Sequence, residues 1–325
     1  MMKAVALFSG GLDSVLAIKL ILEQGIEVIA VNFVTPFFSV QNREKLKKIA
    51  IDLGVELETV DIKDEYLEVL KSPRYGYGKN FNPCVDCRML MFKEAEKLLN
   101  SKKASFIISG EVLGQRPMSQ RKNVFGLMEK TSNLKGLILR PLSAKLLPLT
   151  IPEKENWINK EKLLDICGRS RKIQIDLARK WNLENYFSTA GGCLLTEVVF
   201  SRRMKDLLKY QEFCWDSINL LKIGRHFRLS SQAKLVVGRD EQENNLLIKS
   251  AKKDRVCFEP IEVKGPIGIG EGDFDDSLIS LAAQIIARYC DQKQGAMKIN
   301  HRLFAKREQI EVEAIDDNQI EKFRI

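Results

Sequence analysis

The chain has 325 residues, 45% hydrophobic and 29% charged, with 52 Lys and Arg against 43 Asp and Glu for a net charge of +9. Such a length and balance describe a globular chain with room for two domains, and the sequence has no internal repeat or low-complexity segment. No apolar run approaches the ~20 residues of a membrane helix, the N-terminus lacks a cleavable signal pattern, and the chain reads as cytoplasmic.

Ala4 to Phe8 is a short apolar run that stops at Ser9-Gly10-Gly11-Leu12-Asp13-Ser14. It predicts a buried strand ending in a tight turn, followed by a helix from Val15 to Leu22. A loop between a strand and a helix N-terminus favours an anion, because unpaired N–H groups and the helix dipole point at it. Gly10 and Gly11 let the backbone approach a phosphate, Ser9 and Ser14 supply hydroxyls, and Asp13 is suited to hold Mg2+. The Lys-Ser/Thr ending of a Walker loop is missing.

A second strand is expected over 26–33, a helix over 42–53, a strand over 55–61 and a short helix over 64–70. This β-α-β-α-β order with apolar strands predicts a doubly wound parallel α/β sheet whose ligands sit beyond the C-terminal strand ends. Asn32 and Phe33, at such an end, join the candidate nucleotide site. A helix over 89–99, a strand over 104–110 ending at Gly110, a strand over 136–142, and helices over 160–167, 172–181 and within 197–222 complete a first domain placed at 1–222. Beyond it, strands at 224–229, 233–238, 255–260 and 309–314 and a helix over 275–290 predict a smaller α+β domain, 223–325.

From Lys102 to Lys145, nine basic residues face only Glu111 and Glu129. A solvated face explains such a stretch as well as a polyanion does. Seven cysteines in a cytosolic chain argue for metal or redox chemistry at some of them. Cys84 and Cys87 have CxxC spacing at the entrance to a helix, and Cys193 follows the pair Gly191-Gly192. Three cysteines without a nearby histidine suit a [4Fe-4S] cluster with one open iron better than structural zinc; a persulfide on one thiol, resolved by Cys193, is the competing chemistry. Cys167, Cys214, Cys257 and Cys290 are expected to be small buried hydrophobes.

The string SGGLDS resembles the PP-loop of ATP pyrophosphatases. Together with NPCVDCRMLMF, GEVLGQRPMSQRKNVFGL and LRPL, it is similar to PP-loop tRNA thiolation enzymes over about residues 3–210. Gly110 to Gln115 with Ser119-Gln120 resembles tRNA 4-thiouridine synthetases, and Asn82-Pro83-Cys84 with Cys87 resembles tRNA 2-thiouridylases. The resemblance implies an adenine nucleotide α-hydrolase-like fold and an enzyme that adenylates a uridine carbonyl and replaces the oxygen with sulfur. It assigns Ser9, Gly10, Gly11, Asp13 and Ser14 to ATP, Gly110, Glu111 and Gln115 to the reaction cleft, and Cys84, Cys87 and Cys193 to the cluster or the sulfur chemistry. Implied partners are tRNA and a sulfur donor, either sulfide or a cysteine desulfurase, with no membrane; a homodimer is left open. The THUMP and rhodanese-like regions of some such enzymes are not evident. A PP-loop enzyme acting on a small molecule is the runner-up, and an RNA-binding protein with a silent PP-loop is a third reading. Gly224 to Leu229 with Lys234 to Asn245 resembles the RNA-binding module of NFACT-type proteins, which implies an RNA grip; a dimerisation or packing role is the alternative. His226 is expected to be structural or RNA-contacting.

Overall fold

A computed structural model describes residues 2–37, 42–183, 186, 193–252, 254–292, 295–303 and 306–325. The chain divides into two compact units, Met1–Thr196 and Glu197–Ile325. The division falls earlier than residue 222, so the helical residues just after Thr196 group with the second unit and not with the first, as their sequence order suggests.

The first unit holds a five-stranded sheet of β1 (Lys3–Leu7), β2 (Glu27–Val34), β3 (Glu56–Asp61), β4 (Phe106–Ser109) and β5 (Ile138–Leu139). All strands are parallel, in the order β3-β2-β1-β4-β5. Both faces of the central strands are buried, which is why these strands read as unbroken apolar runs. Ala4, Ala6 and Phe8 pack with Phe106, Ile108 and helix α1 (Leu12–Leu22) on one face. Val5 and Leu7 pack with Ile29, Val31 and Ile107 on the other, beneath α4 (Cys84–Ser101). Helices α2 (Asn42–Leu53) and α3 (Lys63–Lys71) follow β2 and β3. Strand order reverses between β1 and β4, the switch point at which open α/β sheets bind ligands.

Beyond α5 (Lys122–Thr131), a four-residue helix α6 (Ile151–Lys154) is closed by a capping box between Thr150 and Glu153. The helix expected over 160–167 is absent: only Lys160–Lys162 form a 3-10 turn. The next residues run extended because Leu164 and Ile166 N–H groups donate to the carbonyls of Pro141 and Leu142. Helix α7 (Lys172–Lys180) follows as expected.

The second unit opens with α8 (Val198–Tyr210) and α9 (Trp215–Leu220). It then forms an antiparallel sheet of β6 (Arg225–Arg228), β7 (Ala233–Val237), β8 (Val256–Pro260), β9 (Gly268–Gly272), β10 (Met297–Leu303) and β11 (Lys306–Val312). Its order is β11-β10-β8-β9-β7-β6. Helix α11 (Asp276–Arg288) covers one face over Leu235, Val237, Phe258 and Ile299. Leu220 of α9 and Leu247 of α10 (Glu241–Ser250) pack on Val236 and Ile269 of the other. The chain ends in the short α12 (Asp317–Ile320). Among the described residues, no helix is long and apolar enough to cross a membrane.

Candidate active site

The Ser9–Ser14 loop lies where the sequence puts it, between β1 and the N-terminus of α1. Gly10 has φ +69°, which only glycine adopts at no cost, and Gly11 is the helix N-cap. Ser14 Oγ donates to the Gly11 carbonyl at 2.8 Å and lies 3.4 Å from Ser9 Oγ, so the two hydroxyls flank one turn of backbone N–H groups. Asn32 Nδ2 donates to the Phe8 carbonyl at 2.8 Å and braces the strand end. Phe33 is 6% exposed and sits in the core below, so its side chain does not line the loop as expected.

Gly110 ends β4 opposite this loop. A Cβ there would stand 2.7 Å from the backbone C and O of Asp13 and from the Ser14 nitrogen. Only a glycine lets the two strand ends come this close. The next residues turn back across the crevice. Gln115 Nε2 donates to Asp13 Oδ2 at 2.7 Å, and its Oε1 accepts from Gln174 of α7 at 3.2 Å. Arg171 donates to the same Asp13 oxygen at 3.2 Å. Asp13 Oδ1 is buried and has no hydrogen-bond partner. A carboxylate with one oxygen held and the other free fits a Mg2+ ligand.

Glu111 takes a different part from the one expected. It is 1% exposed, 3.2 Å from Arg140 and 3.6 Å from Arg88, and Arg140 also meets Glu129 at 2.6 Å and lies over the Phe125 ring. This carboxylate is a buried ion-pair partner: its Oε2 accepts from Arg140, while its Oε1 stands in ion-pair range of Arg88 without a hydrogen bond. Ser119 and Gln120 are likewise buried and shape the turn. The basic 102–145 stretch is not one open face: Lys102 pairs with Glu58, Arg140 is buried, and Lys145 meets Glu161.

The thiols lie on the other side of that turn. Pro83 caps α4, so Cys84 and Cys87 occupy its first turn, and Cys87 N–H donates to the Pro83 carbonyl at 2.9 Å. Between them Asp86 accepts the Arg74 and Tyr75 N–H groups and pins the preceding loop. Asn82 Nδ2 donates to Cys84 Sγ at 3.0 Å and also lies 4.0 Å from Met118 Sδ. Cys193 joins them: its segment is tied through Thr196, whose hydroxyl donates to the Cys193 carbonyl at 2.7 Å and whose carbonyl accepts from Asn80. The Gly191-Gly192 pair lies outside the described residues. Burial pushes the Cys87 thiol up to about 11, and burial with the neighbouring Cys87 and Cys84 pushes Cys193 up to about 12. Burial, and then the neighbouring Cys87, Cys193 and Cys84 sulfurs, hold the Tyr66 phenol, which hydrogen-bonds Cys87, well above its ordinary value. The three sulfurs therefore lie within electrostatic reach of one another and of the Tyr66 phenol. Among the described residues no set of three or more His, Cys, Asp or Glu stands in metal-holding geometry. The three thiols are of the right chemical type for a cluster with one open iron, but as folded they do not stand in ligating geometry.

Of the other cysteines only Cys290 is buried. Cys167 is exposed, because it alternates with buried Ile166 in an extended segment bridged to Leu113; Cys214 and Cys257 are half-buried. Tyr66, Arg116, Arg171 and Gln174 carried no signal as site residues in the sequence. Arg171 and Asp13 are 158 residues apart in the chain.

In the second unit His226 is 1% exposed, and its Nε2 lies 2.7 Å from the Ile223 carbonyl. Burial, with Lys234 and Arg203 nearby, holds it well below its ordinary value, so it is a neutral structural residue and not an RNA contact. The sheet face opposite α11 carries Lys298, Asn300 and Arg302 on β10, with Arg307 across from Arg302 on β11.

The first unit is thus a doubly wound parallel α/β domain with a PP-loop-like turn at its switch point, and the second an antiparallel α+β domain. Residues 1–146 match the family described as thiamine biosynthesis protein (ThiI), and residues 224–324 match the NFACT protein RNA binding domain. The chain is 30% identical over 172 residues to a probable tRNA sulfurtransferase of Thermococcus kodakarensis, covering 51% of this chain and 40% of that protein. It is 33% identical over 110 residues to the tRNA-specific 2-thiouridylase MnmA of Syntrophotalea carbinolica, covering 28% and 30%. A solved 4-thiouridine synthetase–RNA complex with bound ATP is 28% identical over 43% of this chain and 36% of its own, with a TM-score of 0.37. The matched part therefore spans less than half the length of these relatives.

Proposed function

We propose that this chain is an ATP-dependent tRNA sulfurtransferase. A uridine carbonyl oxygen attacks the α-phosphorus of ATP, a P–O bond breaks, and pyrophosphate leaves with its electron pair. The adenylated carbon is then attacked by sulfide sulfur, a C–S bond forms, the C–O bond breaks, and AMP leaves. Adenylation matters because a pyrimidine oxygen is a poor leaving group and AMP is a good one. In this reading the Ser9–Ser14 loop and α1 N-terminus hold the β- and γ-phosphates, and Asp13 Oδ1 carries Mg2+. Cys84, Cys87 and Cys193 would hold a [4Fe-4S] cluster, which when bound would offer sulfide a place to bind. The second unit would grip the tRNA, in line with its match to an RNA-binding domain.

The observation that carries the reading is the single turn that ties both half-sites together. Gln115 hydrogen-bonds Asp13 of the nucleotide loop, while three residues on Met118 meets Asn82, the donor to Cys84. A nucleotide loop alone suits any adenylating enzyme; a nucleotide loop joined to three thiols suits sulfur transfer.

The test is to purify the chain without oxygen, measure iron and acid-labile sulfide, and incubate it with tRNA, Mg-ATP and sulfide. About four irons per chain, lost on Cys84→Ala, Cys87→Ala or Cys193→Ala, supports the cluster. Thiolated nucleoside in the digest, with one AMP and one pyrophosphate released per sulfur, supports the reaction. Thiolation without iron removes the cluster from the reaction and leaves direct attack by free sulfide. Thiolation that instead requires a cysteine desulfurase with cysteine in place of sulfide moves the chemistry to a persulfide on the same cysteines, since the desulfurase hands over sulfur already at the sulfane level. ATP consumed without tRNA overturns the tRNA reading in favour of a small-molecule substrate.

A further inference from the structure

The crevice between the nucleotide loop and the thiols holds four arginines, Arg88, Arg116, Arg140 and Arg171, and two carboxylates, Asp13 and Glu111. Arg171 pairs with Asp13, and Arg88 shares Glu111 with Arg140. Arg116 is left over. Among the described residues its half-buried guanidinium has no ion-pair or hydrogen-bond partner. Its backbone lies in the middle of the connecting turn: Gln115 before it reaches Asp13, Met118 after it reaches Asn82 beside Cys84, and its carbonyl accepts the Gln120 N–H at 3.0 Å. Its charge senses Arg88 and Cys84 on one side and Arg171 and Asp13 on the other; burial and the two arginines pull its pKa below the ordinary value.

A half-buried, unmatched cation near two others is unfavourable by itself, and an anion in the crevice relieves it. The covalent order of the reactants says which anion belongs there. With the β- and γ-phosphates on the loop and the uridine carbon facing the thiols, the atom between them is the α-phosphorus. We propose that Arg116 binds the nucleotide α-phosphate at the junction of the two half-sites, and keeps hold of it when it leaves as AMP. This rests on reading the Ser9–Ser14 loop as the nucleotide site. A planar guanidinium suits the role, since it offers two parallel N–H donors to two phosphate oxygens. Negative charge grows on those oxygens as the carbonyl attacks and again as AMP departs, so one side chain serves both halves of the reaction.

The test is titration calorimetry of the full chain and its Arg116→Ala and Arg116→Lys variants with AMP, adenosine and Mg-ATP. Thermal unfolding by circular dichroism checks that each variant is folded, and Arg121→Ala serves as an exposed control on the same segment. The wild type is expected to bind AMP more tightly than adenosine. Arg116→Ala should lower AMP affinity on the order of tenfold to a hundredfold, the worth of a charge-assisted bidentate contact, with adenosine unchanged. Arg116→Lys should lose less, and Arg121→Ala nothing. If Arg116→Ala and Arg116→Lys both bind AMP like the wild type while Mg-ATP still binds, the proposal fails and the nucleotide loop stands. If the wild type binds neither AMP nor Mg-ATP, the reading of the loop fails and takes the proposal with it. If Arg116→Ala loses tRNA affinity and keeps AMP affinity, Arg116 contacts the RNA backbone and the proposal is overturned.

Discussion

Replacing Gly110 by alanine tests whether the two strand ends must touch. Its Cβ would stand 2.7 Å from three backbone atoms of Asp13 and Ser14, none of which is a flexible side-chain tip. Ordinary carbon contacts begin near 3.5 Å, so β4 and the nucleotide loop would separate by about 0.8 Å. Overpacking of this size costs about 1–3 kcal/mol in stability. A displacement near 1 Å at a reacting centre costs about a hundredfold in rate. Gly110→Ala should therefore lower the urea midpoint modestly and cut ATP-dependent AMP release far more than the loss of folded protein explains. Gly126→Ala is the control: it sits in α5 with nothing within 4 Å of its Cβ. It should stabilise by about 0.5–1 kcal/mol and leave activity alone. Unchanged stability and AMP release in Gly110→Ala would refute the argument from close approach.

Asp13→Ala should abolish AMP release while leaving tRNA binding, measured by filter retention, intact; thiolation persisting in that variant would sink the nucleotide-loop assignment. Glu111→Ala should destabilise by about 1–3 kcal/mol in urea denaturation, because it removes a buried charge-assisted partner of Arg140, which keeps Glu129. A stable Glu111→Gln with lost chemistry would instead return Glu111 to the reaction cleft. Lys234 is fully buried, 3.6 Å from Glu271, and burial lowers its pKa from 10.5 to about 8. Between pH 8 and 10.5 the unfolded chain then binds the extra proton, so unfolding free energy should rise with pH across that window. Lys234→Met should flatten the rise; an equal slope in both proteins contradicts it. In metal-free protein near pH 7.5, mass spectrometry after iodoacetamide should find exposed Cys167 labelled well before Cys87 and Cys193, whose thiols stay protonated until about pH 11 and 12. Early labelling of Cys193 would count against its raised thiol pKa.

The parts of the fold that could be read from sequence are those whose burial is dictated locally. β1, β2 and β4 are buried on both faces, so their apolar runs have no competing helical reading. The second domain shows the opposite. β9 escaped because Gly268-Ile269-Gly270-Glu271-Gly272 looks like a loop. Its glycines are there for space: a Cβ on Gly268 would meet Ile286 at 2.5 Å and one on Gly270 would meet Phe274 at 2.6 Å. α10 was hidden in a polar string, although Asp240 accepts the Glu243 N–H as its N-cap. The false helix at 160–167 came from Leu163 and Ile166, whose burial is set by pairing to Pro141 and Leu142 and not by a helix face. Tertiary pairing overrode local pattern there.

The candidate site divides the same way. Ser9 to Ser14 and Cys84 to Cys87 are contiguous strings in which spacing itself encodes chemistry, so both half-sites could be read before folding. The junction could not. It is assembled from one side chain each of Asp13, Gln115, Arg171 and Gln174, on segments that meet only because strand order reverses between β1 and β4. Arg116 illustrates the limit: in the sequence it is one of nine basic residues in a stretch that a solvated face explains. Folding neutralises several of these, with Lys102 on Glu58, Arg140 on Glu111 and Lys145 on Glu161. What separates Arg116 from the rest is the absence of such a match at a half-buried position, and a pairing deficit exists only once the carboxylates around it have been assigned to other partners. Motif spacing locates the two halves of this crevice; charge accounting within the folded crevice identifies the residue that makes them one site.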